Sequence, residues 1–324
     1  MKWLAALVVT LCAATSVYGA AQGWSPQKNV EIVAASPPGG SNDKTARMLE
    51  RVIGATKLVP TSITVMNKPG GNATIANTYV AQRPGDPHYL LVMGSGFLTN
   101  QIIGASTLTV ADFTPIASLV EDYTVFAVAA GSPIKSGREL VERLKADPKS
   151  ISIGFANAFG SSRHIAVGVL MKAVGGNPRD LKVVVFKGSA EAIPALLGGH
   201  IDLGVIGAVN VVPHVSSGRM RILGVAAPQR LPGALASAPT WKEQGVEISP
   251  GNWRGLFGPK NVSAAQIGYW EGVLRKATEI PEWKEDLEKN YWTEQFVTGT
   301  QFRKMLDQEY VETRAVLTDL GLAK

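Results

Sequence analysis

Four short runs could hold an anion: Pro38-Gly39-Gly40-Ser41, Gly94-Ser95-Gly96, Gly160-Ser161-Ser162-Arg163-His164 and Lys187-Gly188-Ser189. Each follows an apolar stretch of strand size, and three of them open into a helical pattern. A strand that passes through glycines into a helix leaves backbone N–H groups without partners and aims them at one point. The helix dipole adds partial positive charge there. Arg163 and Lys187 would add formal charge, so a carboxylate held there would accept charge-assisted hydrogen bonds. Asp43, just past the first run, is expected to stabilise the helix start by about 0.5 kcal/mol. If it faces a cleft, it would accept a hydrogen bond from a hydroxyl, a protonated acid or an amino group of the ligand.

Other chemistries lack their residues. No Lys-Ser/Thr pair follows the glycines in register, and G-x-G-x-x-G is absent, so neither nucleotide fingerprint is present. Ser161, Ser162 and His164 are sequence neighbours, but no G-x-S-x-G elbow occurs and no carboxylate is identifiable as a shared partner. An enzyme is therefore not expected. His88, His200 and His214 are isolated and read as polar loop histidines rather than a metal set. The formal charge of +6 is spread along the chain with no basic run interleaved with aromatics, which argues against nucleic acid. It suits a small anion or an acidic partner surface.

The elements that must position these runs form an α/β grammar. Strands are expected at Val30–Ala35, Ile63–Met66 and Tyr89–Met93, with helices from the first glycine turn to Gly54 and over Thr74–Gln82. Phe113–Val120 and Thr124–Ala130 read as strands, the second crossing into another domain. There the pattern repeats: a helix opening with the capping spacing of Ser136 and Glu139, strands at Ile151–Phe155, Val183–Phe186, Ile201–Ile206 and Ile222–Ala226, and helices at Ile165–Val174, Ala190–Leu197 and Val211–Ser216. Beyond Ala226 come a loop-rich stretch, a strand at Trp253–Phe257 and amphipathic helices at Ala264–Thr278, Glu282–Asn290 and Thr300–Leu320, expected to pack back onto the first domain. Repeated strand, Gly/Ser turn and helix place ligands at the carboxyl ends of parallel strands.

Met1–Ala21 reads as a secretory signal: Lys2, the apolar Leu4–Ala14 and a small-residue region cut between Gly19 and Gln22. Cys12, the single cysteine, leaves with it, so the mature chain has no disulfide and no thiol chemistry. No later stretch is long and apolar enough to span a bilayer. An exported, unanchored chain without cysteines fits a bacterial periplasm, and its length fits two domains.

With these residues laid out, the mature sequence resembles the Bug-type or TctC-type periplasmic receptors of tripartite tricarboxylate transporters. The likeness runs through Pro37-Pro38-Gly39-Gly40-Ser41-Asn42-Asp43, Asn67-Lys68-Pro69-Gly70-Gly71, Arg83-Pro84-Gly85-Asp86-Pro87-His88 and Leu196-Leu197-Gly198-Gly199-His200-Ile201-Asp202 to Gly251-Asn252-Trp253-Arg254-Gly255 and Pro281-Glu282-Trp283-Lys284-Glu285. The resemblance implies a two-lobed type II periplasmic binding protein, each lobe a mostly parallel sheet flanked by helices, closing on a ligand between them. It places lobe one at 22–123 plus 227–324 and lobe two at 124–226. Pro38, Gly39, Gly40 and Ser41 would hold one carboxylate from the first lobe. Gly160, Ser161, Ser162 and His164 would hold it from the second, with Ser95 and Lys187 along the wall. Arg163 and Arg254 are the candidates for a second carboxylate. Ala34-Ala35-Ser36 and Asn42 depart from the residues usual in that family, so no member's substrate is carried over; citrate-like acids are the first expectation. The resemblance further implies a monomer with no cofactor and no metal, docking on a membrane permease of one large and one small subunit. The alternative from another class is a receptor that signals through a two-component sensor kinase.

Overall fold

The computed structural model describes residues 23–156, 158–248 and 251–324. The signal segment expected at Met1–Ala21 lies outside the described residues. The chain first lays down β1 (Val30–Ala34), α1 (Ser41–Thr56), β2 (Ile63–Asn67), α2 (Thr74–Ala81), β3 (Tyr89–Gly94), α3 (Gly96–Ile102) and β4 (Phe113–Asp122). It continues with β5 (Thr124–Ala129), α4 (Gly137–Ala146), β6 (Ser152–Ala156), α5 (Ser162–Ala173), β7 (Lys182–Phe186), α6 (Ser189–Leu197), β8 (Leu203–Gly207), α7 (Ala208–Ser216) and β9 (Met220–Ala226). It ends with β10 (Asn252–Pro259), α8 (Ala264–Thr278), α9 (Pro281–Asn290), β11 (Trp292–Thr298) and α10 (Gly299–Asp319).

Two sheets result, in the orders β11-β4-β10-β3-β1-β2 and β7-β6-β8-β5-β9. In the first, β1 to β4 share one direction and only β10 and β11 oppose them. In the second, β5 alone is reversed. Mostly parallel sheets are therefore what the fold contains, with antiparallel strands where the chain changes sheets. Both faces of each sheet are covered, as parallel sheets require. Ala46, Leu49, Val52 and Ile53 of α1 pack with Trp270, Leu274 and Trp283 of α8 and α9 on one face of the first sheet. Phe97, Leu98, Phe302 and Leu306 of α3 and α10 cover the other. The C-terminal helices thus pack back on the first sheet, as expected from their apolar stripes.

Two elements are absent from the sequence reading. The segment Gly96–Ile102 is a helix of only seven residues, too short for a stripe to show its period. Trp292–Thr298 is an edge strand on β4 with an irregular register between Glu294 and Val297, which blurs its alternation. α1 also runs past Gly54 to Thr56, because Lys57 takes the left-handed turn at φ 50° and bonds back to the carbonyl of Gly54.

The chain leaves the first sheet at Tyr123, the single residue between β4 and β5, and returns after β9 through residues 227–251. Of that return, Leu231, Leu235 and Ala238 join the core on one face of the second sheet. Trp241 and Ile248 join the core on its other face, with Trp241 edge-on to Phe126 at 5.2 Å. A third link is helical: Leu317 of α10 and Ile102 of α3 meet Ile165 of α5.

Candidate ligand-binding cleft

Between the two sheets lies a cavity of about 610 Å³. α1, α3 and α5 all begin at its wall: Gly40, Ser41 and Asn42 border it from the first sheet's side, Gly96 and Phe97 beside them, and Ser161, Ser162 and Arg163 from across the cleft. Each of these helices follows a strand end through a short turn, so the α/β connection itself aims three helix N-termini at one space. Eight of the predicted site residues border the cavity: Gly40, Ser41, Gly160, Ser161, Ser162, Arg163, Lys187 and Arg254. The remaining five lie elsewhere. Pro38 and Gly39 are exposed on the turn, while Asp43, His164 and Ser95 are buried.

The backbone of the two glycine turns is largely occupied with itself. Gly39 donates its N–H to Asp43 Oδ2 at 2.8 Å, and Gly40 to the carbonyl of Pro37 at 3.0 Å. Gly160 donates to His164 Nδ1 at 3.0 Å, and Ser161 to the carbonyl of Ala158 at 3.1 Å. The donors left for a ligand are therefore one or two residues further on. Among the described residues, no protein acceptor meets the N–H groups of Ser41 and Asn42 in α1 or of Ser162 and Arg163 in α5. Gly39 and Gly160 shape the turns at φ 81° and 80°, a region that disfavours a side chain.

Asp43 and His164 each brace a turn. Asp43 also accepts from Asn67 Nδ2 at 2.8 Å and Arg47 Nε at 2.9 Å. Burial alone would raise its carboxyl, but the donors from Gly39, Asn67 and Arg47 hold it below the usual carboxylate range. His164 stacks on Phe155 with ring centres 4.9 Å apart, and burial pushes its imidazole down to about 4. A neutral ring with Nδ1 accepting from Gly160 has no charge to offer an anion. Ser95 donates to Asn252 Oδ1 at 2.8 Å, so it fixes a residue that does border the cavity.

The charged groups converge where the chain crosses between sheets. Asp122, the last residue of β4, accepts from Arg254 Nη2 at 3.3 Å. Arg254 also donates to the carbonyl of Asn252 at 3.1 Å and lies with its guanidinium 5.1 Å from the ring centre of Trp292. Burial lowers the basicity of both Arg254 and Arg163, and Asp122 raises both. Both guanidinium groups remain charged at neutral pH. Two arginines thus depend on one carboxylate. Arg163 makes no hydrogen bond to the carboxylate, and its Nε is buried without a partner. With Lys187 at the rim, the cleft carries excess positive charge. Asp122, Asn252 and Asn77 escaped the sequence reading. The first lies at a strand end, the second was quoted only as part of a motif, and the third interrupts the buried stripe of α2 beside Ala76 and Val80.

A second cavity of about 450 Å³ adjoins the first and shares Thr99 and Ser162 with it. It is acidic: Glu121, Glu247, Glu309 and Glu312 line it with Trp253 and Val316. Burial pushes the Glu309 carboxyl up to about 8, although Trp253 Nε1 donates to it. Among the described residues no group of three or more His, Cys, Asp or Glu could hold a metal ion, and no helix is long and apolar enough to cross a membrane.

Comparison with known proteins adds a family to this geometry. Residues 46–322 match the model of the tripartite tricarboxylate transporter family receptor. A Cupriavidus necator protein, a UPF0065 protein encoded in the gbd 5' region, is 25% identical over 300 residues, covering 92% of this chain and 89% of its own. The crystal structure of a TctC solute-binding protein from Polaromonas is 25% identical and superposes with a TM-score of 0.77, covering 91% of this chain and 99% of its own. An R. palustris protein, Rpa4515, determined with adipate, shares the fold at 21% identity and a TM-score of 0.78, covering 92% of this chain and 99% of its own. The chain therefore belongs to the tripartite tricarboxylate transporter receptors, a family of two-lobed periplasmic solute-binding proteins.

Proposed function

We propose that this chain captures a small carboxylate in the larger cleft and delivers it to a tripartite tricarboxylate transporter. The observation that carries the reading is Arg163, a cation in the cleft wall whose buried Nε has no partner. An unpaired buried donor on a charged group is costly, and a ligand carboxylate would relieve that cost. The free N–H groups at the starts of α1 and α5 and the hydroxyls of Ser41, Ser161 and Ser162 would complete the carboxylate site from both lobes. Pro38, Gly39 and Asp43 would act by shaping the first turn, and His164 by shaping the second. Lys187 at the rim would attract the anion, and Arg254, already paired with Asp122, would hold the wall.

In place of the expected 22–123 plus 227–324 and 124–226, we propose lobe one as 23–123 with 251–324 and lobe two as 124–248, since Trp241 and Ile248 pack in the second core. Closure would follow from the ligand binding both lobes at once. We further propose a monomer, exported by removal of Met1–Ala21, that presents its loaded form to a permease of one large and one small subunit. Citrate is the first acid to try.

The test is calorimetric titration of the purified protein with mono-, di- and tricarboxylates, citrate and adipate included. At least one should bind in the micromolar range or tighter. Arg163→Met should weaken that binding by about 1.5–3 kcal/mol, roughly ten- to hundredfold. If no carboxylate binds while a neutral or cationic solute does, the reading is wrong.

A further inference from the structure

The larger cleft holds a side-chain amide that no other described residue satisfies. Asn77, in the middle of α2, is 1% exposed, and both its Oδ1 and its Nδ2 are buried without a partner. It borders the cavity together with Ala35, Ala73, Met93 and Phe97. A buried amide without a partner loses its hydrogen bonds to water and gains none, which is destabilising unless something else supplies them. An aliphatic residue of similar size would pack at that position at no such cost. Asn77 also differs in chemistry from the charged groups and backbone donors of the site. It offers one acceptor and one donor side by side, whereas the helix starts, Arg163 and Lys187 offer donors only.

Resting on the reading of the cleft as a carboxylate site, we infer that Asn77 recognises a second, neutral group of the ligand that both donates and accepts. A hydroxyl or a primary carboxamide has that character. A second carboxylate does not, because it would meet Asn77 Oδ1 with a lone pair and no proton. Arg254, the one cation that lines the cavity from the first sheet, is already held by Asp122. The ligand is thus a carboxylic acid whose remote end carries a hydroxyl or an amide, and Asn77 is the residue that selects it.

The experiment compares matched acids of four, five and six carbons, each with a terminal methyl, hydroxyl, carboxamide or carboxylate. Butyrate, 4-hydroxybutyrate, succinamate and succinate form the shortest set. Dissociation constants are measured for the wild type, Asn77→Leu and Asn77→Ala. At one chain length the hydroxy or amide acid should bind the wild type about tenfold or more tighter than its methyl and carboxylate counterparts. Asn77→Leu should abolish that preference while keeping the methyl acid's affinity within about threefold. Asn77→Ala, which leaves space for water, should reduce the preference as well. Equal binding of all four acids, a preference for the dicarboxylate, or a preference that survives in both variants would overturn the inference and leave the carboxylate reading standing. Failure of every carboxylate in this panel and in the broader titration would overturn both.

Discussion

Residue by residue, the cleft divides its labour between side chains that line it and side chains that hold the backbone for them. Asp43 is the clearest of the second kind, because three donors from Gly39, Asn67 and Arg47 end on one buried carboxylate. Asp43→Asn should destabilise the protein by about 1.5–3 kcal/mol at pH 7, read from denaturant unfolding, since bonds to a charged group are replaced by neutral ones. The carboxyl is held below its ordinary range in the folded state, so its contribution is present above the unfolded value near pH 4 and is lost as pH falls through the folded one. The acid side of the wild-type stability profile should therefore be steeper than that of Asp43→Asn. At this scale the sequence disclosed which residues border the cleft better than what each does. The glycines and serines of the turns were legible because several strand, glycine and helix series recur along one chain. That Gly39 and Gly160 spend their N–H groups on Asp43 and His164 was not, because a four-residue spacing does not say which way a side chain folds back.

At the level of elements, helix starts position the donors. Ser161 caps α5, although its hydroxyl is 3.5 Å from the N–H of His164. Ser136 caps α4 at 3.2 Å from the N–H of Glu139, with no part in either cavity. Both Ser→Ala changes should lower stability by about 0.5–2 kcal/mol, Ser161→Ala towards the smaller end because its bond is long. Only Ser161→Ala should also weaken carboxylate binding, so the pair separates capping from recognition in a single titration. Gly160→Ala would add a methyl 3.0 Å from Thr99 Cγ2 at a φ of 80°, and should cost about 1–3 kcal/mol of stability and weaken binding. The strands and long helices were readable from apolar period. The edge strand Trp292–Thr298 and the short α3 were not, since each exists by docking on a neighbour rather than by its own pattern.

For the molecule as a whole, the acidic cavity between α5 and α10 makes stability depend on pH in a second way. Glu309 titrates near 8 when folded and near 4.3 when unfolded, so the folded state holds the extra proton between those values. Stability should fall as pH rises across that window, and Glu309→Gln should remove the fall and be more stable than the wild type at pH 9. His164 acts in the opposite direction. Its folded value near 4 lies below the unfolded 6.5, so stability should be lost as pH drops from about 6.5 towards 4. Thermal midpoints from pH 4 to 9 test both limbs. The two-lobed plan was visible in the repetition of the α/β grammar. The acidic cavity was not, because Glu121, Glu247 and Glu309 meet only after the chain has crossed between sheets twice.

β10 lies between β3 and β4, so a strand from late in the chain is wedged between two early ones. As the polypeptide emerges from its N-terminus, β3 and β4 present two open edges until Asn252–Pro259 arrives. The second sheet needs no strand beyond Ala226 and can close while the first still waits. A chain stopped short of Asn252 should consequently keep one formed sheet and leave one side of β3 and both sides of β4 unpaired, the geometry that invites strand-to-strand aggregation. The cleft, built from both sheets, comes into being only with the last quarter of the molecule.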